Sequence, residues 1–227
     1  MKTHFFLIQE SPPLQTEKTL SLIELIQNGG LGGQIIIGLL VVLLLVVVYI
    51  YFERLFAIRD AVKISSNFMS QIRTYVLNGK IDNAQQICLS ENKPVARLIS
   101  KGLSRIGRPL EDINTTIENA GRLEVYKLEK NISILATIAG AAPMLGFLGT
   151  VIGMILSIFE ISNAGGNIDM QLLADGLYTA MTTTVAGLIV GIIGYITYNH
   201  LVVKTNKVVY QMEASSLEFL DLLNEPT

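Results

Sequence analysis

Three long stretches of this chain carry no acidic or basic charge, and they set its architecture. Residues 35–52 form an 18-residue run rich in Ile, Leu and Val, about the length of helix needed to cross ~30 Å of hydrocarbon. Residues 132–159 extend such a run over 28 positions, and residues 176–203 form another, interrupted only by His200 near its end. A soluble fold can hide one helix of this kind in its core. Three in one chain predict three membrane spans. No segment shows the strict apolar–polar alternation of a half-buried strand, so the predicted fold is all-α and polytopic, with long helices extending out of the bilayer.

The polar remainder reads as helices broken by glycine, proline and asparagine. In residues 16–27, Leu20, Leu22, Ile23, Leu25 and Ile26 cluster among polar side chains. Ser21 followed by Glu24 has capping-box spacing. This segment is either an interfacial helix on the outer leaflet or a short helix against a neighbouring subunit. Gly29, Gly30, Gly32 and Gly33 are expected to break the chain before span one. The first span is predicted to continue as helix to Leu77, stopping at Asn78-Gly79. Asp82 and Gln85 start a short helix ending near Ser90, and Asn92-Lys93-Pro94 opens another, closed by Gly107-Arg108-Pro109. No proline occurs between Glu111 and Pro143, so one helix is expected to run straight into span two. After Gly194 neither glycine nor proline recurs before Pro226. A helix over 176–222 would be about 70 Å long at 1.5 Å per residue.

Charge distribution orients these spans. Residues 53–131 hold 13 of the 17 basic side chains, with Arg54, Arg59 and Lys63 after span one and Arg122, Lys127 and Lys130 before span two. Lys204 and Lys207 follow span three, whereas residues 160–175 carry Glu160, Asp169 and Asp175 and no Lys or Arg. By the positive-inside rule the N-terminus (1–34) and the 160–175 loop face the periplasm, and the 53–131 domain and the 204–227 tail face the cytoplasm. Glu118, Glu124 and Glu129, among Arg122, Lys127 and Lys130, read as ion pairs on a helix surface. The first 13 residues lack the apolar core of a signal peptide and read as a leader, with span one acting as the insertion signal.

Composition narrows the chemistry. The mean hydropathy is +0.48 and the net charge −2, a balance that offers no electrostatic footprint for nucleic acid. One cysteine, Cys88, and two distant histidines, His4 and His200, supply no disulfide framework and no metal cluster. No Ser–His or paired-acid constellation lies within the apolar runs, so an intramembrane enzyme has nothing to work with. No cofactor is implied.

Spans two and three differ from span one in kind. Span one is bulky and aliphatic, as expected of a lipid-facing helix. Span two carries Gly140, Pro143, Gly146, Gly149, Thr150 and Gly153, with Pro143 a predicted kink. Span three carries Thr179, Thr182, Thr183, Thr184, Gly187, Gly191 and Gly194. Both Gly149–Gly153 and Gly187–Gly191 have the spacing that lets membrane helices approach closely. The threonines either face an assembly interior as pore lining or bond their own carbonyls within ordinary helix packing. No Asp, Glu, Lys or Arg lies in the three runs, so a proton path would need a titrating carboxylate from a partner.

Span two reads AGAAPMLGFLGTVIGM over 139–154, and residues 175–191 read DGLYTAMTTTVAGLIVG. The first resembles the signature of the ExbB/TolQ/MotA proton-channel family, a proline followed by two glycines three apart, Thr-Val and another glycine. The second resembles that family's threonine- and glycine-bearing block. Gly79, Ala84, Cys88 and Pro94 also stand where such proteins often have these residues, and the likeness extends over about residues 16–222. Three spans with a short outer loop are similar to the ExbB and TolQ branches, not to four-span MotA. The resemblance implies a homopentamer in the bacterial inner membrane, enclosing an ExbD- or TolR-type dimer whose aspartate takes protons from the periplasm. The work then passes to a TonB- or TolA-type transducer. It also implies that Thr150 and Thr184 are the pore threonines of spans two and three. ExbB proteins often carry a glutamate at the position of Thr179; here the nearest acid is Asp175, one turn earlier, a candidate periplasmic acid. The competing readings are a TolQ-like subunit serving envelope maintenance and a structural scaffold without proton flux.

Overall fold

A computed structural model describes residues 30–163 and 170–224. The interfacial helix and capping box expected in residues 16–27 lie outside these residues. Seven helices follow one another: α1 (Gly30–Val62), α2 (Phe68–Leu77), α3 (Ile81–Glu91), α4 (Pro94–Leu103), α5 (Leu110–Glu129), α6 (Ile132–Asn163) and α7 (Met170–Asn224). The fold is all-α, with no strand among the described residues. α1, α6 and α7 are each long and apolar enough to cross a membrane.

α6 and α7 make the most extensive contact in the molecule, and α1 packs along both. α1 is therefore not a purely lipid-facing helix. Leu40, Val47 and Ile50 are buried against its neighbours, while Ile35, Val42, Leu45 and Tyr49 stay exposed. The glycines near its start do not break it: Gly30, Gly32 and Gly33 lie within α1. A methyl group on Gly32 would touch Ile152 Cγ2 of α6 at 3.4 Å, so the small residue accommodates a close neighbour.

Two helix junctions differ from those expected. α1 ends at Val62, fifteen residues before Leu77, and the chain turns through residues 63–67 before α2. Ser65, Ser66 and Asn67 compete with helix hydrogen bonding through their short polar side chains, and the turn lets Phe68 and Ile72 drop fully into the core. α5 and α6 are likewise separate helices. The break falls at Asn131, whose φ of 63° is left-handed, a conformation asparagine tolerates better than most residues. Neither junction contains the proline or glycine that would advertise it.

The other boundaries follow their residues. Pro94 sits at the start of α4, where its missing N–H costs nothing, and Asn92 caps α3 in the left-handed region at φ 45°. Gly102 allows α4 to meet its neighbours: a methyl there would lie 2.6 Å from Phe219 Cε1 and 2.8 Å from Ile117 Cδ1. α7 has 55 residues, about 82 Å of helix. It begins six residues before the expected start of span three, and α6 persists to Asn163, so both helices take in positions assigned to the 160–175 loop. Beyond the apolar run α7 keeps a buried stripe through Leu201, Val208, Met212, Phe219 and Leu222. That stripe joins the spans to the α2–α5 helical domain.

One charge expected on the surface is buried. Glu124 interrupts the apolar stripe of α5 and is only 4% exposed. Arg97 of α4 donates to its Oε2, and Lys127 donates to Oε1 at 2.7 Å. Burial pushes the Glu124 carboxyl up, but these two hydrogen-bonded cations outweigh it and hold it below the ordinary carboxylate range. Glu124 thus ties α4 to α5. Arg54, also buried, donates to the Lys127 carbonyl at 3.2 Å and anchors the end of α1 to the same place.

Candidate functional site

The α6–α7 seam is shaped by glycines that let backbone meet backbone. A methyl on Gly187 would lie 2.6 Å from the Ala142 carbonyl oxygen and 2.8 Å from Gly146 Cα. One on Gly146 would lie 2.8 Å from the Thr183 carbonyl oxygen and 3.1 Å from Gly187 Cα. Those distances are too short for any side chain, so α6 and α7 touch through their main chains here. Gly149 receives Thr183, whose Cβ would sit 2.7 Å from an added methyl, and Gly153 receives Ala180 at 2.9 Å.

Pro143 does not end α6. Its ring lies in the notch left by Gly191, where an added methyl would come within 2.6 Å of Pro143 Cγ. Because proline has no N–H, the Ala139 carbonyl loses its helix donor. The Gly191 main chain packs over that carbonyl, with an added methyl 3.1 Å from its oxygen.

The hydroxyls gather around a single carbonyl. Thr150, Thr183 and Thr184 direct Oγ1 at the Gly146 oxygen, at 3.3, 3.2 and 3.1 Å. Thr150 and Thr184 are also hydrogen-bonded to each other across the seam, and Thr183 donates to the Ala180 carbonyl at 2.7 Å. Each hydroxyl has one proton to donate and two lone pairs. Once Thr183 donates to Ala180 and one of the facing pair donates to Gly146, lone pairs remain on Thr150 and Thr184 for an incoming donor. Both residues are half-buried.

The other predicted positions separate by environment. Thr183 is fully buried in the seam and packs into the space beside Gly149. Thr182 turns to the opposite side of α7, donates to the Tyr178 carbonyl at 2.9 Å and joins Ile37, Leu40 and Val41 of α1 in lining an apolar groove. The side chains of Asp175 and Thr179 lie outside the described set. Ser157 was not singled out from sequence. It is buried, donates to the Gly153 carbonyl at 2.9 Å and packs where Gly176 leaves room. Its signal was spacing: Thr150, Gly153 and Ser157 fall at i, i+3 and i+7, on one face of α6.

The seam contains no charged side chain among the described residues, and no group of three or more His, Cys, Asp or Glu that could hold a metal occurs among them. At the far end of the spans, Tyr51 Oη and His200 Nδ1 are hydrogen-bonded at 2.9 Å, joining α1 to α7. Chemically, the seam can pack helices and offer hydroxyl lone pairs to a hydrogen-bond donor. It cannot exchange a proton near neutral pH.

Comparison with known proteins fits this arrangement. A family profile described as the MotA/TolQ/ExbB proton channel family matches residues 90–214, from the end of α3 into the C-terminal half of α7. The chain is 37% identical over 111 residues to biopolymer transport protein ExbB of Aquifex aeolicus, covering 48% of this chain and 74% of that one. It is 32% identical over 123 residues to a biopolymer transport protein ExbB homologue of Methanothermobacter thermautotrophicus, 54% of this chain and 43% of the relative. It is also 32% identical over 85 residues to the Tol-Pal system protein TolQ of Haemophilus influenzae, 37% of each. The chain thus spans less than half the length of the last two. The profile covers more than half of the 227 residues and takes in both helices of the glycine–threonine seam, and on that ground the chain belongs to the MotA/TolQ/ExbB proton channel family.

Proposed function

We propose that this chain is the ExbB-like stator of a motor in the bacterial inner membrane, driven by the proton-motive force. In this reading it forms a homopentamer around the helices of an ExbD- or TolR-type dimer and energises a TonB-type transducer for outer-membrane import. The N-terminus faces the periplasm; the α2–α5 domain and the C-terminal half of α7 face the cytoplasm, following the basic residues. The observation that carries the reading is the Thr150–Thr184 pair, two hydroxyls on half-buried residues with lone pairs to spare and no titratable group beside them among the described residues. Such a pair suits hydration or orientation of a carboxylate that a partner supplies. Asp175 serves as a periplasmic acid on the approach, and Gly146, Gly149, Gly153, Gly187 and Gly191 hold the helices close.

The test replaces Thr150 and Thr184 together by valine, which keeps the shape and removes both hydroxyls. The complex is expected to assemble, with partner-dependent transduction impaired, and proteoliposomes of this chain alone are expected to stay proton-tight under an imposed gradient. Full activity of the double variant, or a large leak from the lone chain, overturns the proposal. A TolQ-like role in envelope maintenance shares the mechanism and is favoured by the likeness to TolQ of Haemophilus influenzae. Co-purification of a TolA-type rather than a TonB-type transducer would select it. Assembly without any partner-dependent proton flux would select a passive scaffold.

A further inference from the structure

α7 carries a column of large apolar residues that its own chain leaves uncovered. Ile189, Ile196, Val203, Tyr210 and Leu217 follow one another at intervals of seven, and each is more than half exposed. The opposite face of the helix is buried through Leu201, Thr205, Val208, Met212 and Phe219. A seven-residue spacing drifts only about 20° per repeat round a straight helix, so the five side chains stand nearly in line. Within the apolar run the column is broad, because Val185 and Ile192 beside it are also exposed, and lipid can cover it there. Past that run the interposed residues are Asn206 and Glu213, both exposed, and the apolar surface narrows to a single file. Leu217 lies fourteen residues beyond Val203, where the run ends. That is about 21 Å of helix, out of reach of acyl chains.

A complementary surface lies on the same chain at the same depth. α5 and α7 flank a groove of about 490 Å³. Leu98, Gly121, Val125 and Met212 line it with apolar surface. Arg122 on the α5 wall and Glu213 on the α7 wall are exposed and make no ion pair among the described residues. Tyr210 stands one position after Val209 of the α7 wall, turned about 100° from it, so ridge and groove are different faces of the chain. A single file of side chains packs into a groove and not onto a flat face. Copies inserted in one bilayer with the same orientation share their depth. The ridge of one copy, over 203–217, therefore meets the groove of the next along Val209 to Leu220. A tyrosine suits such a groove, with its ring against the apolar floor and its hydroxyl at the polar rim.

From this we infer that a second copy of this chain occupies the groove: Val203, Tyr210 and Leu217 of one copy seat between α5 and α7 of its neighbour. The contact joins unlike surfaces, the head-to-tail kind that closes into a ring. The inference rests on the homo-oligomeric stator reading given above and adds the surface through which neighbours meet outside the bilayer.

The test co-expresses two differently tagged copies of the full chain, one carrying Gly121→Cys and the other Tyr210→Cys, and oxidises them in membranes. Cys88 is buried and takes no part. A methyl at Gly121 makes only ordinary contact, 3.7 Å from Leu98 Cδ2, and Tyr210 is exposed, so neither change disturbs the fold of the chain. A disulfide between the two tags is expected, exceeding any dimer that either variant forms alone. Tyr210→Asp is expected to raise the concentration at which the detergent-solubilised oligomer dissociates about tenfold or more, the scale of a tyrosine hot spot, with helix content unchanged by circular dichroism. Three results overturn the inference and leave the stator reading standing: an oligomer intact by native mass spectrometry without the mixed disulfide, a dimer of Tyr210→Cys alone at equal or higher yield, or an oligomer that Tyr210→Asp leaves as stable as before. A chain that is monomeric at every concentration overturns both.

Discussion

Replacing Gly187 by alanine adds one methyl group where the structure has no room for it. The new carbon would meet the Ala142 carbonyl oxygen at 2.6 Å, Gly146 Cα at 2.8 Å and Gly146 N at 3.0 Å. All three are main-chain atoms of α6, so no side chain can rotate aside. Ordinary contact begins at 3.4 Å, and 3.4 minus 2.6 requires the helices to part by at least 0.8 Å. A gap of that size forfeits about a quarter to a half of the dispersion energy of the atom pairs it separates. It also lengthens the two hydroxyl contacts that cross from α7 to the Gly146 oxygen, Thr183 at 3.2 Å and Thr184 at 3.1 Å. Overpacking of this kind costs roughly 1–3 kcal/mol, against a gain of up to about 1 kcal/mol from the better helix propensity of alanine. Thermal melting in detergent, followed by circular dichroism with oligomer size checked in parallel, should show a clear loss for Gly187→Ala. Gly140→Ala is the control, because that site on α6 has nothing within 4 Å of an added methyl; it should melt at or slightly above wild type. Equal stability of Gly187→Ala and wild type, or an equal loss in Gly140→Ala, would refute the close-contact account.

Further expectations follow from the helical domain. Glu124 has a folded pKa held below its unfolded value of ~4.3, so its stabilisation is full above that value and disappears as pH falls through the folded pKa. As pH falls below ~4.3 the wild type should lose more stability than Glu124→Gln, because its paired carboxylate becomes protonated; parallel pH slopes would exclude the buried carboxylate as the cause. Asn131→Gly should leave the melting temperature near wild type, whereas Asn131→Val, forced into φ 63°, should cost about 1–2 kcal/mol. Cys88 is buried, and burial pushes its thiol up to about 12, so maleimide should label it at pH 8 only on unfolding; rapid labelling of the folded chain would contradict the α3–α4 packing.

The three spans, the all-α fold and the glycine-rich character of α6 and α7 were legible in the sequence, because each is a local property. Length without charge decides whether a helix can cross hydrocarbon, and small residues spaced four apart decide that a face is flat. The threonines of these two helices stood out for the same reason, but could not be told apart. Thr182, Thr183 and Thr184 are consecutive, and a helix turns each by about 100° from the last. Which one meets α6, which meets α1 and which reaches the surface depends on how α7 is rotated against its neighbours, and packing sets that rotation. Tertiary structure likewise decided the two junctions at residues 63–67 and at Asn131. Helix propensity there is only weakly unfavourable, and the burial of Phe68 and Ile72 outweighs the hydrogen bonds given up. It also placed Glu124 inside, since Arg97 lies 27 residues away in sequence and only the fold brings the two together. Nor could sequence single out Thr205, an ordinary threonine on a helix until Leu201 and Val208 are seen to be buried on either side of it. Periodicity marks which faces turn inward, but only the partner facing each position determines whether a polar atom there is satisfied.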